Sequence, residues 1–188
     1  MTMISQHPAM LRQALASIRA IEGPDLAFQI LVGDNGDAPE TPIAAEEYGA
    51  IYSKVHLRGA CASRNACLRA ATGEFIAFLD DDDVWLPGNI RPHIAVLDAR
   101  PEIEAVIGQV IYTDYDLTPT SRPMPATNPG EGDDLLRRML GDFFPQVATT
   151  VIRASISQSL GEFQWAHDQA EDVDWFLRLA RRRKVAFL

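Results

Sequence analysis

The order of patterns along this chain predicts an α/β fold, a mostly parallel sheet with helices on both faces. Three observations carry that expectation. Segments with helical spacing alternate with short apolar runs. One run, Ala27–Val32, stops at the turn Gly33-Asp34-Asn35-Gly36-Asp37. Another, Glu74–Leu79, stops at four consecutive aspartates, Asp80 to Asp83, with Trp85 just beyond. In open α/β sheets ligands bind at the carboxyl ends of the strands, so both acidic turns are candidates to face one cleft.

Taken in order, Pro8 suits the first turn of a helix. Leu11, Ala14, Leu15 and Ile18 then give it an apolar stripe, and Gly23-Pro24 ends it. Residues 38–50 are rich in Pro and Glu and read as loop or marginal helix. Ile51–Leu57 reads as a second strand. Residues 60–71 form an Ala-rich helix closed by Thr72-Gly73, and Glu74–Leu79 is the third strand. Ile90, Ile94 and Leu97 mark a helix that Pro101 ends. Ile103–Tyr112 reads as strand and residues 116–130, with their prolines, as loop. Asp133–Leu140 reads as a short helix and Val147–Ile152 as a strand. Val173, Phe176, Leu177 and Ala180 mark a last amphipathic helix, and Val185–Leu188 begins a strand. No internal repeat is visible.

The chain has 188 residues, enough for one domain with a sizeable core. Its formal net charge of −9 argues against a general nucleic-acid binder. No apolar run approaches a membrane span and no signal peptide is visible. Cys61 and Cys67 lie six apart in one predicted helix, on different faces, which argues against a disulfide and for a reduced, cytosolic setting.

Four adjacent carboxylates repel one another, and a divalent cation removes that cost. Mg²⁺ and Mn²⁺ take carboxylate oxygens and leave positions for substrate phosphates. The cluster therefore suggests transfer from a phosphate-activated substrate, with Mn²⁺ or Mg²⁺ neutralising the leaving group. The plainer alternative is an acidic turn that caps the next helix.

Four stretches, in this order, resemble the nucleotide-sugar-dependent glycosyltransferases of family 2, whose fold is called GT-A. They are QILVGDNGD, GACASRNACLRAATGEFIAFLDDDDVWLPGNI, VATTVIRASISQSLGEF and AEDVDWFLRLARRRKVAFL, and they cover most of residues 8–188. The resemblance implies one GT-A domain over 1–188, with a nucleotide-sugar half at 8–112 and an acceptor and base half at 131–188. It implies an inverting transferase that moves a sugar from a nucleoside-diphosphate sugar, a UDP-sugar first, to a hydroxyl of a glycan, lipid-linked or small-molecule acceptor.

Residue by residue, the resemblance puts Asp34 on the nucleotide base and Arg64 against the diphosphate. Asp80, with Asp81 beside it, belongs to the nucleotide-sugar site. Asp82, assisted by Asp83, belongs to the metal. Asp172 is the general base and Glu171 supports the helix start. From spacing alone, dipole capping is the alternative for Glu171 and Asp172, a solvated helix residue the alternative for Arg64, and a turn former the better reading of Asp34. Trp85, Trp165 and Trp175 are candidates to stack on sugar rings. Trp165 is the best of them, because Trp175 falls beside the core stripe. The basic run 181–184 reads as a helix C-terminus, with contact to an anionic membrane surface as the alternative.

The resemblance is incomplete at both ends. Only MTMISQH precedes Pro8, where the family has an apolar strand and a turn, and the chain stops at Leu188, where the family continues. A gap in the sheet is expected to favour self-association. The second functional reading is therefore a non-catalytic nucleotide- or glycan-binding relative, or one part of a complex.

Overall fold

The computed structural model describes residues 8–141, 143–164 and 170–188. The elements run α1 (Pro8–Arg19), β1 (Leu31–Asp34), α2 (Glu40–Glu47), β2 (Ile51–Lys54), α3 (Ala60–Ala70), β3 (Phe75–Ala77), α4 (Ile90–Ala99), β4 (Ala105–Ile107), α5 (Asp133–Met139), β5 (Thr150–Arg153), α6 (Ala154–Leu160), α7 (Glu171–Arg182) and β6 (Val185–Phe187). A single 3₁₀ turn, Val147–Thr149, leads into β5. Within these described residues the strands form two sheets, β1-β2 and β3-β5-β4-β6.

The side-chain alternation of the strands builds a core on each face. Val106, Val151 and Ala186 join Leu11, Leu15 and Ile18 of α1, Ala44 and Ala45 of α2 and Leu97 of α4. Their strand neighbours Ala105, Ile107, Ile152, Val185 and Phe187 join Leu135 of α5, Ile156 of α6 and Trp175, Phe176 and Leu179 of α7. Successive residues of a strand point to opposite faces, so a near-continuous apolar run is what a doubly covered sheet requires. Helices on both faces are therefore as expected.

The sheet is mixed rather than mostly parallel. β1 pairs β2 in parallel, with Leu31 opposite Ile51, and β4 pairs β6 in parallel, with Val106 opposite Ala186. β5 runs antiparallel to both β3 and β4, with Val151 opposite Ala77 and Val106. The cause is the route into β5. The chain leaves β4 at Gly108 and re-enters at Thr149, and the Gly108 amide donates to the Thr149 carbonyl at 2.9 Å. A connection that begins and ends on the same side of a sheet returns the strand reversed. Because β5 opposes both neighbours, β3 and β4 run the same way and their carboxyl ends lie on one side.

Sequence boundaries moved by a few residues, and two assignments changed. The Pro- and Glu-rich segment is a true helix, α2, packed through Thr41, Ala44 and Ala45. Residues 154–160 form α6, a helix not anticipated from ASISQSL. Among the described residues β1 and β3 do not pair. A cleft of about 370 Å³ lies between the segments leading into them, lined by Ile18, Leu31, Ile76, Trp85, Ile94 and Val151 among others. It sits toward the amino ends of β1 and β3, away from both acidic turns, and most of its lining residues are apolar, with Asp25, Gln29, Glu74 and Asp98 among the rest.

Candidate active site

The site is assembled on α3. This helix is buried from Cys61 to Asn65 and again at Cys67, because it packs against β1 on one side and Phe163 on the other. Gly33 makes the first approach possible, since a Cβ there would stand 2.7 Å from the Ser63 carbonyl oxygen. Asn65 makes the second: its amide donates to the Phe163 carbonyl and its oxygen accepts from the Phe163 amide, both at 2.9 Å. Phe163 then stacks on Trp175 of α7, with centroids 5.0 Å apart and planes at 13°. Sequence reading missed Asn65. The signal was there: three polar residues in a row, Ser63, Arg64 and Asn65, inside a helix whose other residues, Arg69 apart, are apolar.

Arg64 is 6% exposed and held on three sides. Its Nη2 donates to both Asp80 oxygens, at 3.0 and 3.1 Å. Its Nη1 donates to Glu171 Oε1 at 3.1 Å, and its guanidinium lies 5.4 Å from the Phe163 ring centroid. The structure thus brings together Arg64, Asp80 and Glu171 from three separate elements. Arg64 is not the solvated helix residue that spacing alone allows. Burial opposes its charge, but Asp80, Glu171 and Asp172 together hold its pKa above the ordinary arginine range. Asp172 follows Glu171 in the first turn of α7, and its Oδ1 accepts from the Val173 amide at 2.7 Å.

The other aspartates share one turn beyond β3. The Asp83 amide closes it by donating to the Asp80 carbonyl at 3.2 Å. Asp81 is 8% exposed and Asp82 is on the surface. Burial, then repulsion by Asp80, Asp82 and Asp81, pushes the Asp83 carboxyl up to about 7. Four carboxylates are concentrated here, of which Asp80 bonds Arg64. Among the described residues no three His, Cys, Asp or Glu side chains converge as a closed metal site. The donor set still fits Mg²⁺ or Mn²⁺ of the open kind, which takes one or two carboxylates and completes its shell with substrate phosphates and water.

Asp34 belongs to a different network. It is 1% exposed. The Gly36 amide donates to its Oδ1 at 2.8 Å and the Tyr52 hydroxyl to its Oδ2 at 2.8 Å. Lys54 Nζ stands 3.6 Å from both Asp34 and Asp37, and also donates to the Gly36 carbonyl. Burial and the Asp34 charge push the Tyr52 phenol up to about 12. Among the described residues no hydrogen bond or ion pair joins Asp34 to Arg64 or Asp80. The link is indirect: Asn35 donates to the Gly59 carbonyl at the start of α3, at 2.8 Å.

Two of the three tryptophans are not sugar platforms. Trp85 is 5% exposed and donates through its indole to the Ala148 carbonyl at 3.2 Å, and Trp175 is 1% exposed in the aromatic core. Trp165 lies outside the described residues. In the basic run, Arg183 donates to Glu104 at 3.1 Å and to Ser159 at 2.5 Å, so that residue ties α7 to the sheet edge. Both cysteines are free and buried on α3.

The family model described as glycosyl transferase family 2 matches residues 4–161. The chain belongs to that family. Among curated relatives, WfgD of Escherichia coli, a UDP-Glc:alpha-D-GlcNAc-diphosphoundecaprenol beta-1,3-glucosyltransferase, is 30% identical over 74 residues. That match covers 37% of this chain and 29% of WfgD. Among solved structures, Staphylococcus aureus TarS 1–349 in complex with UDP superimposes with a TM-score of 0.76 at 20% identity, over all of this chain and 56% of that one. The mannosyltransferase PcManGT of Pyrobaculum calidifontis, in complex with GDP-Man and Mn²⁺, gives 0.64 at 17%, over all of this chain and 54% of that one. These likenesses establish the GT-A fold. The family 2 chain described here spans little more than half of those structures and less than a third of WfgD.

Proposed function

We propose that this family 2 chain carries the donor-binding and base-bearing part of an inverting glycosyltransferase that uses a nucleoside-diphosphate sugar, a UDP-sugar first. The observation that carries the reading is the junction of Arg64, Asp80 and Glu171. It ties the helix bearing Asp172 to the aspartate turn through Arg64, so a base and a charge-rich leaving-group site lie on either side of one guanidinium. The UDP bound by TarS and the GDP-Man and Mn²⁺ bound by PcManGT support the donor class and the cation.

In this reading the acceptor hydroxyl oxygen forms a bond to the anomeric carbon while the bond from that carbon to the diphosphate oxygen breaks. Asp172 takes the hydroxyl proton, and the nucleoside diphosphate departs with the electron pair. The carboxylate at a helix start suits the task, because the Val173 amide holds its Oδ1 in place and, among the described residues, no hydrogen bond takes Oδ2. Asp80 and Asp81 serve the donor. Asp82 and Asp83 would hold Mn²⁺ or Mg²⁺, which when bound neutralises charge on the diphosphate. Asp34, through Tyr52 and Lys54, shapes the wall beside the base. The acceptor is a hydroxyl-bearing glycan, lipid-linked sugar or small molecule. The two buried free thiols support a reducing, cytosolic setting.

A thermal-shift panel of UDP, GDP and their sugars, each with Mn²⁺ or with EDTA, tests this. UDP with Mn²⁺ raises the melting temperature and UDP with EDTA raises it less. Indifference to every nucleoside diphosphate overturns the reading, and an equal response in EDTA removes the metal from it.

A further inference from the structure

We propose that Glu171 is a positioning residue which, through Arg64, couples occupancy of the aspartate turn to the order of the first turn of α7 and hence to the placement of Asp172. The proposal rests on the reading above and adds to it a coupling between the donor site and the base.

A glutamate in the first turn of a helix ordinarily serves the helix dipole. Glu171 does something else. Its carboxylate reaches across to α3 and accepts from Arg64 Nη1 at 3.1 Å, with its side chain 17% exposed and that of Arg64 8% exposed. The residue before it, Ala170, supplies no side-chain cap, and the Val173 amide is satisfied by Asp172. Among the described residues, Glu171 on Arg64 and Trp175 on Phe163, itself bonded to Asn65, both hold the start of α7 toward α3. The second is apolar and insensitive to charge. The first is not.

Arg64 divides its donors between Glu171 and Asp80, while its Nε is buried without a partner. Asp80 is the more exposed of the two acceptors, with a side chain 29% exposed against 17% for Glu171. A cation or donor that draws on Asp80 weakens its claim on the guanidinium. Arg64 then pairs more fully with Glu171, and the first turn of α7 tightens. The coupling has a sign: filling the donor side orders the base side. Linkage makes it reciprocal, with typical couplings of about 5–150-fold.

Hydrogen exchange reads this without turnover. The Asp174 amide, bonded to the Ala170 carbonyl at 3.1 Å, and that of Trp175 report on the first turn. In the wild-type chain, UDP with Mn²⁺ is expected to slow their exchange about fivefold or more. Glu171→Ala should abolish that slowing while leaving the protection that UDP gives to α3 and the aspartate turn. Glu171→Gln keeps an acceptor for Arg64 at the same size and should restore part of it. It also guards against an alanine variant that fails to fold. In transfer assays Glu171→Ala should lower kcat about 10–100-fold, a displaced base being worth up to about 10²-fold, and by reciprocity should weaken UDP binding about fivefold or more. Equal slowing in wild type and Glu171→Ala overturns the coupling, as does an intact kcat. UDP that fails to bind the wild type brings down the functional reading itself, a different result from either.

Discussion

Two turns of this chain look alike in sequence and behave differently in the fold. Asp34 to Asp37 follows β1, and Asp80 to Asp83 follows β3. Both put carboxylates at the carboxyl end of a strand. At the first, the chain supplies its own donors: an amide, a phenol and a lysine surround Asp34, and the charge is buried at 1% exposure. At the second, Arg64 bonds Asp80, and Asp83 is driven up to about 7 by burial and by its neighbours. A buried charge with its hydrogen bonds filled is architecture. A cluster whose carboxylates repel one another is where the proposed cation would act. What separates the turns is not the number of acids but which side chains stand opposite them.

The largest expected effect lies across from the second turn. Asp172→Asn keeps the size and the helix start but removes the proton acceptor, so transfer should fall about 10²–10⁴-fold. Donor affinity, measured by titration calorimetry with UDP-sugar and Mn²⁺, should barely move. Transfer at the wild-type rate would sink the base assignment. Loss of donor binding together with transfer would make Asp172 a structural cap.

Next in size comes the filled turn itself. Asp34→Ala strands the Tyr52 hydroxyl, the Gly36 amide and Lys54 at once. Leaving buried donors unsatisfied costs about 1–3 kcal/mol each, and about 2–3 kcal/mol overall is expected here because Lys54 can turn to solvent. Urea unfolding measures it. A change under about 0.5 kcal/mol would erase the contrast between the two turns.

A smaller effect comes from Tyr52. Its phenol is raised above the ordinary value, so the folded state holds its proton while the unfolded state releases it. Stability from this group is fully present below pH about 10 and is lost as pH rises toward about 12. In an absorbance titration one of the four tyrosines should ionise last. Tyr52→Phe should remove that late step and flatten the alkaline loss of stability.

The architecture was legible because burial on both faces forces apolar strands and amphipathic helices, and α1, α3 and α7 announce themselves by spacing. The direction of β5 was not legible, since a strand reads the same in either sense and only its route from β4 reverses it. α6 was hidden in ASISQSL, where Ser and β-branched Ile favour other states and only packing of Ile156 and Leu160 makes the helix. In the site, the aspartates, Arg64 and the Glu171-Asp172 pair stood out as residue types. What sequence left out was partnership. Nothing local says that Arg64 spans Asp80 and Glu171, that Asn65 clasps Phe163, or that Asp34 takes a hydrogen bond from Tyr52 and pairs with Lys54. Those contacts join residues 16 to 107 positions apart.

The smallest expected change divides the two turns most sharply. Asp82 is exposed in a crowded acidic turn. Removing it takes away a repelling charge and strands no buried donor, so Asp82→Ala should leave the stability of the ligand-free chain within about 0.5 kcal/mol. In EDTA the variant and the wild type should melt together. With UDP and Mn²⁺ they should part, the wild type gaining stability by mass action and the variant losing the Mn²⁺-dependent share of that gain. Asp34→Ala should show the reverse: a lower melting point in EDTA and a Mn²⁺-dependent increment that survives wherever the chain remains folded. If Asp82→Ala instead destabilises the ligand-free chain as much as Asp34→Ala does, the second turn is architecture like the first, and the cation has no claim on it.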